Sequence, residues 1–361
     1  MLPTDGLLTL TPEGLYCRAA QAWIDPWRPV PRALITHAHA DHARPGCGEY
    51  WAVASSEGIL RERLGAEIQL LPVEYGQLHR LGDARVSFHS AGHVLGSAQI
   101  RIEAGGESWL VSGDYKRCAD PSCSPFEPVA ADVLITEATF GLPIYRWRSG
   151  AAVATEILAW WRAAPDRPSL LLCYAFGKAQ RVLAELQRLG VEEEVLLHGS
   201  VERLMEPYRQ AGVAMPATRP LAGLPRGQSL AGRLVIAPPG AVRGRGLRGM
   251  AQAQSAFVSG WMAVRGARRR RGTGRGFVLS DHADWPGLLQ TAHQSGARQV
   301  YVTHGQSSVL ARYLREVEGI SAEPLEGVFE SERFENEGEG EGEGEGEGEA
   351  ARAGARAGAV A

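Results

Sequence analysis

A dense group of histidines and aspartate follows a short apolar run near the start of this sequence. The 361-residue chain has only ten histidines, yet the segment ALITHAHADHARPG at 33–46 places four ligand-type residues within six positions: His37, His39, Asp41 and His42. A strand that ends at such a segment delivers imidazole and carboxylate groups into one loop, where they can hold metal ions. The segment therefore predicts a metal site at the end of the strand RALIT.

Three further ligand-type residues stand at the ends of apolar runs. They are His93 in SAGHVLGSAQI, Asp114 in WLVSGDYK and His304 in VYVTHG. Taken singly, each is better explained as a core, cap or turn residue, but their order behind the histidine segment favours ligands. The two oxygens of a carboxylate allow Asp114 to bridge two cations, and imidazole with carboxylate suits zinc, manganese or iron.

Composition limits the class of protein. Apolar residues make up 44% of the chain, which is ordinary for a globular core. No apolar run approaches the roughly 20 residues of a membrane span. The N-terminus lacks the pattern of a signal peptide, and five scattered cysteines do not indicate a disulfide framework. These features predict a cytoplasmic protein with free thiols.

Charge is unevenly distributed along the chain. Residues 335–361 carry eight Glu and two Arg, a net charge of −6, which leaves +3 on residues 1–334 of a chain whose total is −3. A Glu-Gly repeat cannot bury a core, so this tail is predicted to be disordered. It either keeps the chain soluble or mimics nucleic acid and shields a basic groove, and the first interpretation is the simpler one.

The hydrophobic patterns predict two kinds of domain. Residues 1–140 contain short strands separated by Gly and Pro turns, with a helix near SSEGILRERL. After Gly141, helical and buried-strand patterns alternate, which predicts a small βαβ domain of about 110 residues. Strand-like runs such as FVSGWMAV and GFVLSDH return from about residue 257. The predicted division is a first part at 1–145, an inserted domain at 146–256, a second part at 257–334 and the tail at 335–361.

Six motifs, taken in chain order, resemble those of a known fold family. HAHADH, AGHVLGS, SGDYK, TEATFG, LSDHADW and VTHG resemble the motifs of the metallo-β-lactamase fold, specifically its β-CASP nuclease branch of DNA-repair exonucleases and RNA 3′-end processing nucleases. TFGLPIYRW, YAFGKAQ and SGWMAVRGARRRR are similar to bacterial DNA ligase-associated exonucleases. The resemblance covers nearly all of residues 1–320. It implies an α/β fold, an αββα sandwich with an inserted β-CASP domain that forms the far wall of a nucleic-acid cleft.

The same resemblance assigns metal ligands and implies two divalent metal ions, zinc or manganese. One ion would be held by His37, His39 and His93, the other by Asp41, His42 and His304, with Asp114 bridging the two. Asp25 matches an early aspartate of the fold that supports the histidine loop. The alternative for Asp25 is a plain Asp-Pro turn.

Further motif residues are carried over as catalytic candidates. Glu137 matches the first acidic motif of the branch, although Ala138 stands where many relatives have Ser. His282 matches the second motif and lies outside the ligand set, so it is available to contact the phosphate or to protonate the leaving oxygen. Alternatively, His282 only opens a helix at SDHADW. The catalytic candidates are Asp41, Glu137 and His282.

Two stretches are candidates for nucleic-acid contact. YAFGKAQ either places Gly177 and Lys178 at a helix N-terminus that binds phosphate or forms an ordinary turn. From Arg243 to Arg275 there are nine arginines and no acidic residue, which favours contact with a nucleic-acid backbone over a merely solvated face. The predicted contacts are Lys178, Arg268, Arg269, Arg270 and Arg271.

Together these features predict a metal-dependent DNA exonuclease that acts in DNA repair. Two cations sharing one water lower its pKa toward about 7, so that a metal-bridged hydroxide can attack phosphorus. The resemblance implies DNA as substrate, with single strands favoured, an ATP-dependent DNA ligase and a helicase as partners, and no membrane. The main alternative is an RNA-processing β-CASP ribonuclease. A small-molecule metallo-hydrolase needs neither the inserted domain nor the arginines, and a catalytically dead binding scaffold does not need all seven ligand positions filled.

Overall fold

The computed structural model of the chain describes residues 2, 6–225, 227–243, 247, 250, 252–264 and 274–325. Two predicted features lie outside the described residues: the tail from Glu335 and the run Arg268, Arg269, Arg270 and Arg271. Within the described part the chain forms three β-sheets and seven α-helices. The helices are α1 (Glu57–Leu64), α2 (Gly150–Arg162), α3 (Lys178–Arg188), α4 (Gly199–Glu202), α5 (Met205–Gln210), α6 (Trp285–Ser295) and α7 (Ser307–Glu316).

The first sheet follows chain order and ends next to the histidine segment. Its strands are β1 (Leu8–Thr11), β2 (Gly14–Cys17), β3 (Ala22–Ile24), β4 (Arg32–Leu34), β5 (Glu49–Val53) and β6 (Leu70–Val73). The first three strands pair antiparallel, and β3 to β6 pair parallel. Because β4 is central, the loop that follows it opens at an edge where several parallel strands end.

The second sheet mixes hairpins with parallel strands in the order β19-β18-β11-β10-β9-β8-β7. Its strands are β7 (Leu78–Leu81), β8 (Ala84–Ser90), β9 (Ala98–Ala104), β10 (Glu107–Val111), β11 (Val133–Glu137), β18 (Gln299–Thr303) and β19 (Ala322–Pro324). Both faces of β11 are buried. Val133 and Ile135 belong to the core shared with the first sheet, while Leu134 packs with α6 and α7. The two sheets therefore pack face to face, with helices covering the outer face of the second.

The third sheet is entirely parallel, in the order β14-β13-β15-β12-β16-β17, and all its strands lie between β11 and β18 in the sequence. They are β12 (Ser169–Leu172), β13 (Val195–Leu197), β14 (Thr218–Pro220), β15 (Leu234–Ala237), β16 (Gln254–Val258) and β17 (Arg275–Phe277). The expected domain limit at residue 256 falls inside β16. Since β17 pairs parallel with β16, the third sheet continues to Phe277, and the runs FVSG and GFV add to it rather than to the first two sheets.

The N-terminus of helix α3, which packs on the third sheet, contacts the loop around His93. The helix begins after Gly177, whose backbone N–H donates to the Gln180 side chain at 2.8 Å. Gly177 has a φ of +85°, and a Cβ there would lie 2.4 Å from Val94 Cγ1. Glycine is therefore required for both the backbone conformation and the close approach. One continuous core joins α3, the third sheet and the first sheet.

Among the described residues, none of the helices combines the length and the apolar character that crossing a membrane requires.

Candidate metal centre

The histidine segment is anchored to the first sheet immediately before it turns. The Thr36 backbone N–H donates to Asp25 Oδ1 at 2.8 Å, and the Thr36 hydroxyl donates to Asp25 Oδ2. The His39 carbonyl then accepts hydrogen bonds from the backbone N–H groups of His42 and Ala43. This turn follows β4 directly, so the imidazoles of the segment project from one short, fixed loop.

Four of the expected ligands converge on one point. One donor atom from each of His37, His39, His93 and Asp114 lies within 4.8 Å of all the others. Asp114 follows β10 through Gly113, where a Cβ would lie 2.6 Å from Thr36 Cβ, so the two loops are in close contact. The structure therefore brings together residues from three separate motifs of the sequence.

A single oxygen of Asp114 lies close to three imidazoles. Asp114 Oδ2 is 3.6 Å from His37 Nε2, 3.6 Å from His42 Nε2 and 3.8 Å from His93 Nε2. His42 Nε2 is also 3.7 Å from Asp41 Oδ2. The carboxylate of Asp114 thus occupies the position that a bridging ligand needs.

His304 completes the side of the site that contains His42. The two rings stack with centroids 5.6 Å apart. The backbone of His304 has a φ of +57°, a left-handed conformation that is uncommon for residues other than glycine. Such backbone strain is held in place by the surrounding structure and is typical of functional sites.

Hydrogen bonds fix which nitrogen of two histidines is available to a ligand. His42 Nδ1 donates to Asp25 Oδ2 at 2.7 Å, and His93 Nδ1 donates to the Asp281 carbonyl oxygen at 2.7 Å. Because the carbonyl can only accept, His93 Nδ1 carries the proton and its Nε2 offers a lone pair. Nε2 of His42 and of His37 are both buried without a hydrogen-bond partner. Buried nitrogens oriented in this way fit a bound cation.

Asp25 has the geometry of a supporting residue. It accepts three hydrogen bonds through its two oxygens, two from Thr36 and one from His42. Its φ of +44° is unusual for a residue followed by proline in an ordinary turn. The carboxylate thereby ties the loop backbone and one imidazole to the end of β3.

Protons on His42 and, in part, on Asp114 offset the negative charge of the buried carboxylates at the site. Burial, followed by the influence of Glu137 and Asp41, raises the pKa of Asp114 to about 7, although His42 and His282 oppose the shift. Burial lowers the pKa of His42, but Asp41, Asp114 and Asp25 outweigh it and raise that pKa to about 10. A divalent cation would replace such protons, and its binding would release them.

Other expected ligands are neutral and therefore ready to coordinate. Burial lowers the pKa of His39 to about 4 and that of His304 to about 4. Burial and the neighbouring imidazoles hold the pKa of His37 well below its usual value. Neutral imidazole is the form that binds a metal ion, so the donor set fits zinc or manganese.

Glu137 and His282 form a separate pair beside Asp114. His282 Nδ1 donates to Glu137 Oε2 at 2.9 Å and lies 3.9 Å from Asp114 Oδ2. Burial lowers the pKa of His282, but Glu137 and Asp114 raise it to about 9. The Glu137 side chain is 1% exposed and that of His282 is 24% exposed, so His282 is the member of the pair that solvent reaches.

The departure at Ala138 leaves the carboxylate of Glu137 well supported. The Tyr115 backbone N–H donates to Glu137 Oε1 at 2.8 Å, and the Thr139 hydroxyl donates to Oε2. Ala138 itself is fully buried, and its carbonyl oxygen accepts from the backbone of Gly141 and Gln306. The hydroxyl that relatives carry at the alanine position is thus not needed to hold this carboxylate.

Lys178 is buried, contrary to what a phosphate contact would require. The residue is 3% exposed, and its ammonium donates to the Leu279 carbonyl at 2.9 Å and to Asp281 Oδ2 at 2.8 Å. The buried carboxylate of Asp281 compensates the charge of Lys178, and because this partner is distant in sequence the local motif does not reveal it. Lys178 is therefore assigned to the protein interior rather than to the nucleic-acid surface.

The structure adds residues that the sequence reasoning missed. The Trp147 indole N–H donates to the His282 carbonyl at 2.9 Å, and the Phe176 carbonyl lies 3.5 Å from His39 Nε2. A small cavity of about 50 Å³ adjoins His39, His93 and His282. Its other lining residues include Phe140, Tyr174, Phe176 and Ser259. The quoted motifs contain several of these residues: TFGLPIYRW includes Phe140 and Trp147, YAFGKAQ includes Tyr174 and Phe176, and SGWMAVRGARRRR begins with Ser259.

Comparisons with known proteins place the chain among relatives of known name. No family model matches the chain. A probable DNA ligase of Opitutus terrae is 32% identical over 308 residues, which is 84% of this chain and 30% of that protein. A ribonuclease of Thermus thermophilus is 33% identical over 189 residues, 45% of this chain and 44% of that protein.

A third sequence relative and one solved structure are also similar to this chain. Cleavage and polyadenylation specificity factor 73 of Drosophila melanogaster is 30% identical over 159 residues, 42% of this chain and 23% of that protein. This chain thus spans less than half the length of each of these three relatives. A solved structure of a protein of unknown function from Enterococcus faecalis superposes with a TM-score of 0.55 at 10% identity, over 82% of this chain and 79% of that chain. At this identity the superposition supports the fold alone.

These relatives, a probable DNA ligase, a ribonuclease and a cleavage and polyadenylation specificity factor, confirm the resemblance of the chain to the β-CASP branch of the metallo-β-lactamase fold family.

Proposed function

We propose that this chain is a metal-dependent nuclease that hydrolyses phosphodiester bonds with two divalent cations. The observation that carries the proposal is that Asp114 Oδ2 lies within 3.8 Å of the Nε2 atoms of His37, His42 and His93. A buried carboxylate close to several imidazoles is the arrangement that a pair of cations requires. The names of the Thermus and Drosophila relatives, a ribonuclease and an RNA cleavage factor, support hydrolysis of nucleic acid.

The ligand assignment follows from the grouping of the donors. We assign His37, His39 and His93 to one ion, Asp41, His42 and His304 to the other, and Asp114 to both. When bound, zinc or manganese would supply an activated water and offset negative charge on the phosphate. The chain's own contribution is to hold each donor nitrogen toward the site and to exclude bulk water.

His282 is proposed as the proton donor to the leaving oxygen. Its Nδ1 is engaged by Glu137 at 2.9 Å, which leaves the proton on Nε2 of the imidazolium as the one that can be donated. Glu137 favours the imidazolium, so the ring can donate a proton at neutral pH. Asp41 acts as a ligand in this scheme, and Glu137 acts through His282.

We propose DNA as the substrate, with exonucleolytic cleavage of single strands in a repair reaction. Support comes from the Opitutus relative, which is named a probable DNA ligase and matches 84% of this chain. We also propose a DNA ligase as a partner, since that relative is named a ligase, and the family resemblance alone adds a helicase to this proposal. The second candidate is an RNA-processing ribonuclease, favoured by the relative from Thermus at 33% identity.

The third sheet is proposed as the inserted β-CASP domain and as one wall of the nucleic-acid cleft. Its strands interrupt the second sheet between β11 and β18. The residues just before α3 reach the site, since the Phe176 carbonyl lies 3.5 Å from His39 Nε2. A substrate phosphate at the histidines would therefore contact both parts of the chain.

The proposal is tested with four end-labelled substrates: single- and double-stranded DNA and RNA. Chelator-treated protein is incubated with each after addition of Zn²⁺, Mn²⁺ or Mg²⁺, and the products are separated by length. We expect metal-dependent shortening of DNA from one end, with single strands preferred. Cleavage of RNA alone would favour the second candidate. No cleavage of any substrate with any ion would contradict the nuclease proposal.

A further inference from the structure

Five buried charged side chains lie behind His93 and form what we call the ion network: Lys116, Asp120, Lys178, Arg181 and Asp281. Each of these side chains is at most 8% exposed. The chain contains 36 arginines and two lysines, and both lysines belong to this network. Three cations face two carboxylates, so the network has no surplus negative charge to attract a metal ion of its own.

The network fastens the segment before His282 to the first turns of α3. Lys178 Nζ is 2.8 Å from Asp281 Oδ2, and Arg181 Nη1 is 3.1 Å from Asp281 Oδ1. The same two cations also donate to the backbone, Lys178 to the Leu279 carbonyl and Arg181 to the Ser280 carbonyl. Three consecutive residues are therefore held by one helix, through both side chain and backbone.

The fastened segment contacts His93 from behind. The Asp281 carbonyl accepts from His93 Nδ1 at 2.7 Å, and Lys116 Nζ donates to the His93 carbonyl at 3.1 Å. Lys116 also pairs with Asp120, which lies 3.3 Å from Arg181 Nε. One set of charges thus fixes the imidazole of His93, its tautomer and its backbone.

Because the ion network is buried, its side chains can adopt few alternative geometries. Charges removed from water require partners, and loss of one partner leaves the other uncompensated, so a buried ion group tolerates few alternative geometries. A one-residue shift of the segment 279–281 would separate Asp281 from both cations. The position of the Asp281 carbonyl is consequently determined by α3.

We propose that the ion network is a positioning device through which α3 sets the affinity of the metal ion held by His37, His39 and His93. Lys178 and Arg181 are its positioning residues. This inference rests on the metal part of the proposed function. It also gives the third sheet a role beyond forming a wall for the substrate.

The test measures ion binding rather than cleavage. The full chain is treated with chelator and titrated with Zn²⁺ alone by calorimetry. In Lys178→Met and Arg181→Met, which retain much of the side-chain length, we expect one ion to bind about 10–100-fold more weakly, the loss typical when a group that orients a metal ligand is removed. The second ion should bind as in the wild type, and Arg181→Lys should restore part of the affinity.

A matched control separates positioning from general destabilisation. Val235 is fully buried in the third sheet and belongs to a different apolar cluster from the residues of α3. Val235→Ala should lower the unfolding temperature without weakening either ion. Thermal unfolding by circular dichroism shows whether each variant is folded.

Two results would overturn the inference: wild-type affinity in the folded methionine variants, or an equal loss of affinity in Val235→Ala. If the methionine variants do not fold, Arg181→Lys carries the test, with weaker binding of one ion expected and wild-type affinity contradicting the proposal. Because the readout is ion binding, a failure to cleave nucleic acid contradicts the nuclease proposal alone.

Discussion

The two sides of the candidate metal centre are supported in different ways. His42 is oriented by the carboxylate of Asp25, a residue 17 positions away at the end of β3. His93 is oriented by the backbone carbonyl of Asp281, 188 positions away, in a segment that α3 holds in place. The support of His42 comes from the first sheet, whereas the support of His93 comes from a distant part of the chain.

His39 extends this contrast. Its Nε2 lies 3.5 Å from the Phe176 carbonyl, immediately before α3, whereas His37 Nδ1 is 3.1 Å from the Thr36 hydroxyl within its own loop. Two of the three histidines assigned to the first ion, His39 and His93, therefore contact residues of the third-sheet unit or groups that it holds. The comparison teaches that the two ion positions should respond differently to changes in α3.

The largest effect is expected at the residue that the two sides share. Asp114→Asn should abolish cleavage and lower the content of both ions, because an amide lacks the negative charge that a ligand shared by two cations supplies. Asp132→Asn is the matched control, since Asp132 accepts hydrogen bonds from Ser108 and belongs to no ligand group. Near-normal cleavage by Asp114→Asn would break the two-metal account.

The next effect separates chemistry from metal binding. His282→Ala should reduce the cleavage rate about 10²–10⁴-fold, the usual contribution of a general acid, while both ions stay bound. A substrate with a better leaving group needs less protonation and should recover much of the loss. Equal losses on both substrates would indicate a phosphate contact instead, and loss of an ion would make His282 a ligand.

A third prediction concerns the different supports of His42 and His93. Asp25→Asn should weaken the ion held by Asp41, His42 and His304 about 10–100-fold and the other ion less, because His42 bonds Asp25 directly whereas His37 contacts it only through Thr36. This is the reverse of the pattern expected for Arg181→Met. Calorimetric titration of both variants with Zn²⁺ measures the two patterns side by side. If each variant weakened both ions equally, the two sides would not be independent.

A smaller and uniform effect is expected for the arginine run. Replacing Arg268, Arg269, Arg270 and Arg271 with Ala should weaken DNA binding across all sequences. Each lost phosphate contact should reduce the slope of log affinity against log salt by about 0.7 on single strands. Fluorescence anisotropy over a salt series measures this slope, and an unchanged slope would identify a solvated surface.

The smallest effect is expected for the acidic tail. Truncation after Phe334 should leave the unfolding temperature and the metal content unchanged, because a Glu-Gly repeat contributes no core. Binding of DNA at low salt distinguishes the two interpretations of the tail. Unchanged affinity fits a solubilising segment, whereas tighter binding by the truncated chain fits a segment that shields the groove.

The sequence was most informative where chemistry is local. His37, His39 and His42 share one short loop, and Asp114 follows a strand, so spacing and strand ends were sufficient to group them. The link between His93 and Asp281 spans 188 positions and uses a backbone carbonyl, which no side-chain motif encodes. Long-range contacts of this kind depend on how the sheets pack, and that information is not local.

The predicted strands differ from the structure mainly where the chain turns or forms short elements. The apolar pattern of GLYCRAAQAWI is typical of one strand, but the chain turns at residues 18–21, where Gln21 has a φ of +51°, and forms β2 and β3. FVSGWMAV was expected to continue as a strand, but Ser259 caps a 3₁₀ turn by accepting from the Trp261 backbone N–H. A hydroxyl that competes for a backbone N–H ends regular structure in ways that periodicity does not indicate.

The central claim is that the buried histidines and aspartates hold two cations, and the most direct test is a count of ions per chain. Chelator-treated wild type and Asp114→Asn are dialysed against Zn²⁺ or Mn²⁺, and the bound metal is measured by inductively coupled plasma mass spectrometry. The account predicts two ions per wild-type chain and a clear loss in the variant. A wild-type chain that retains no ion, or a variant that retains both, would contradict it.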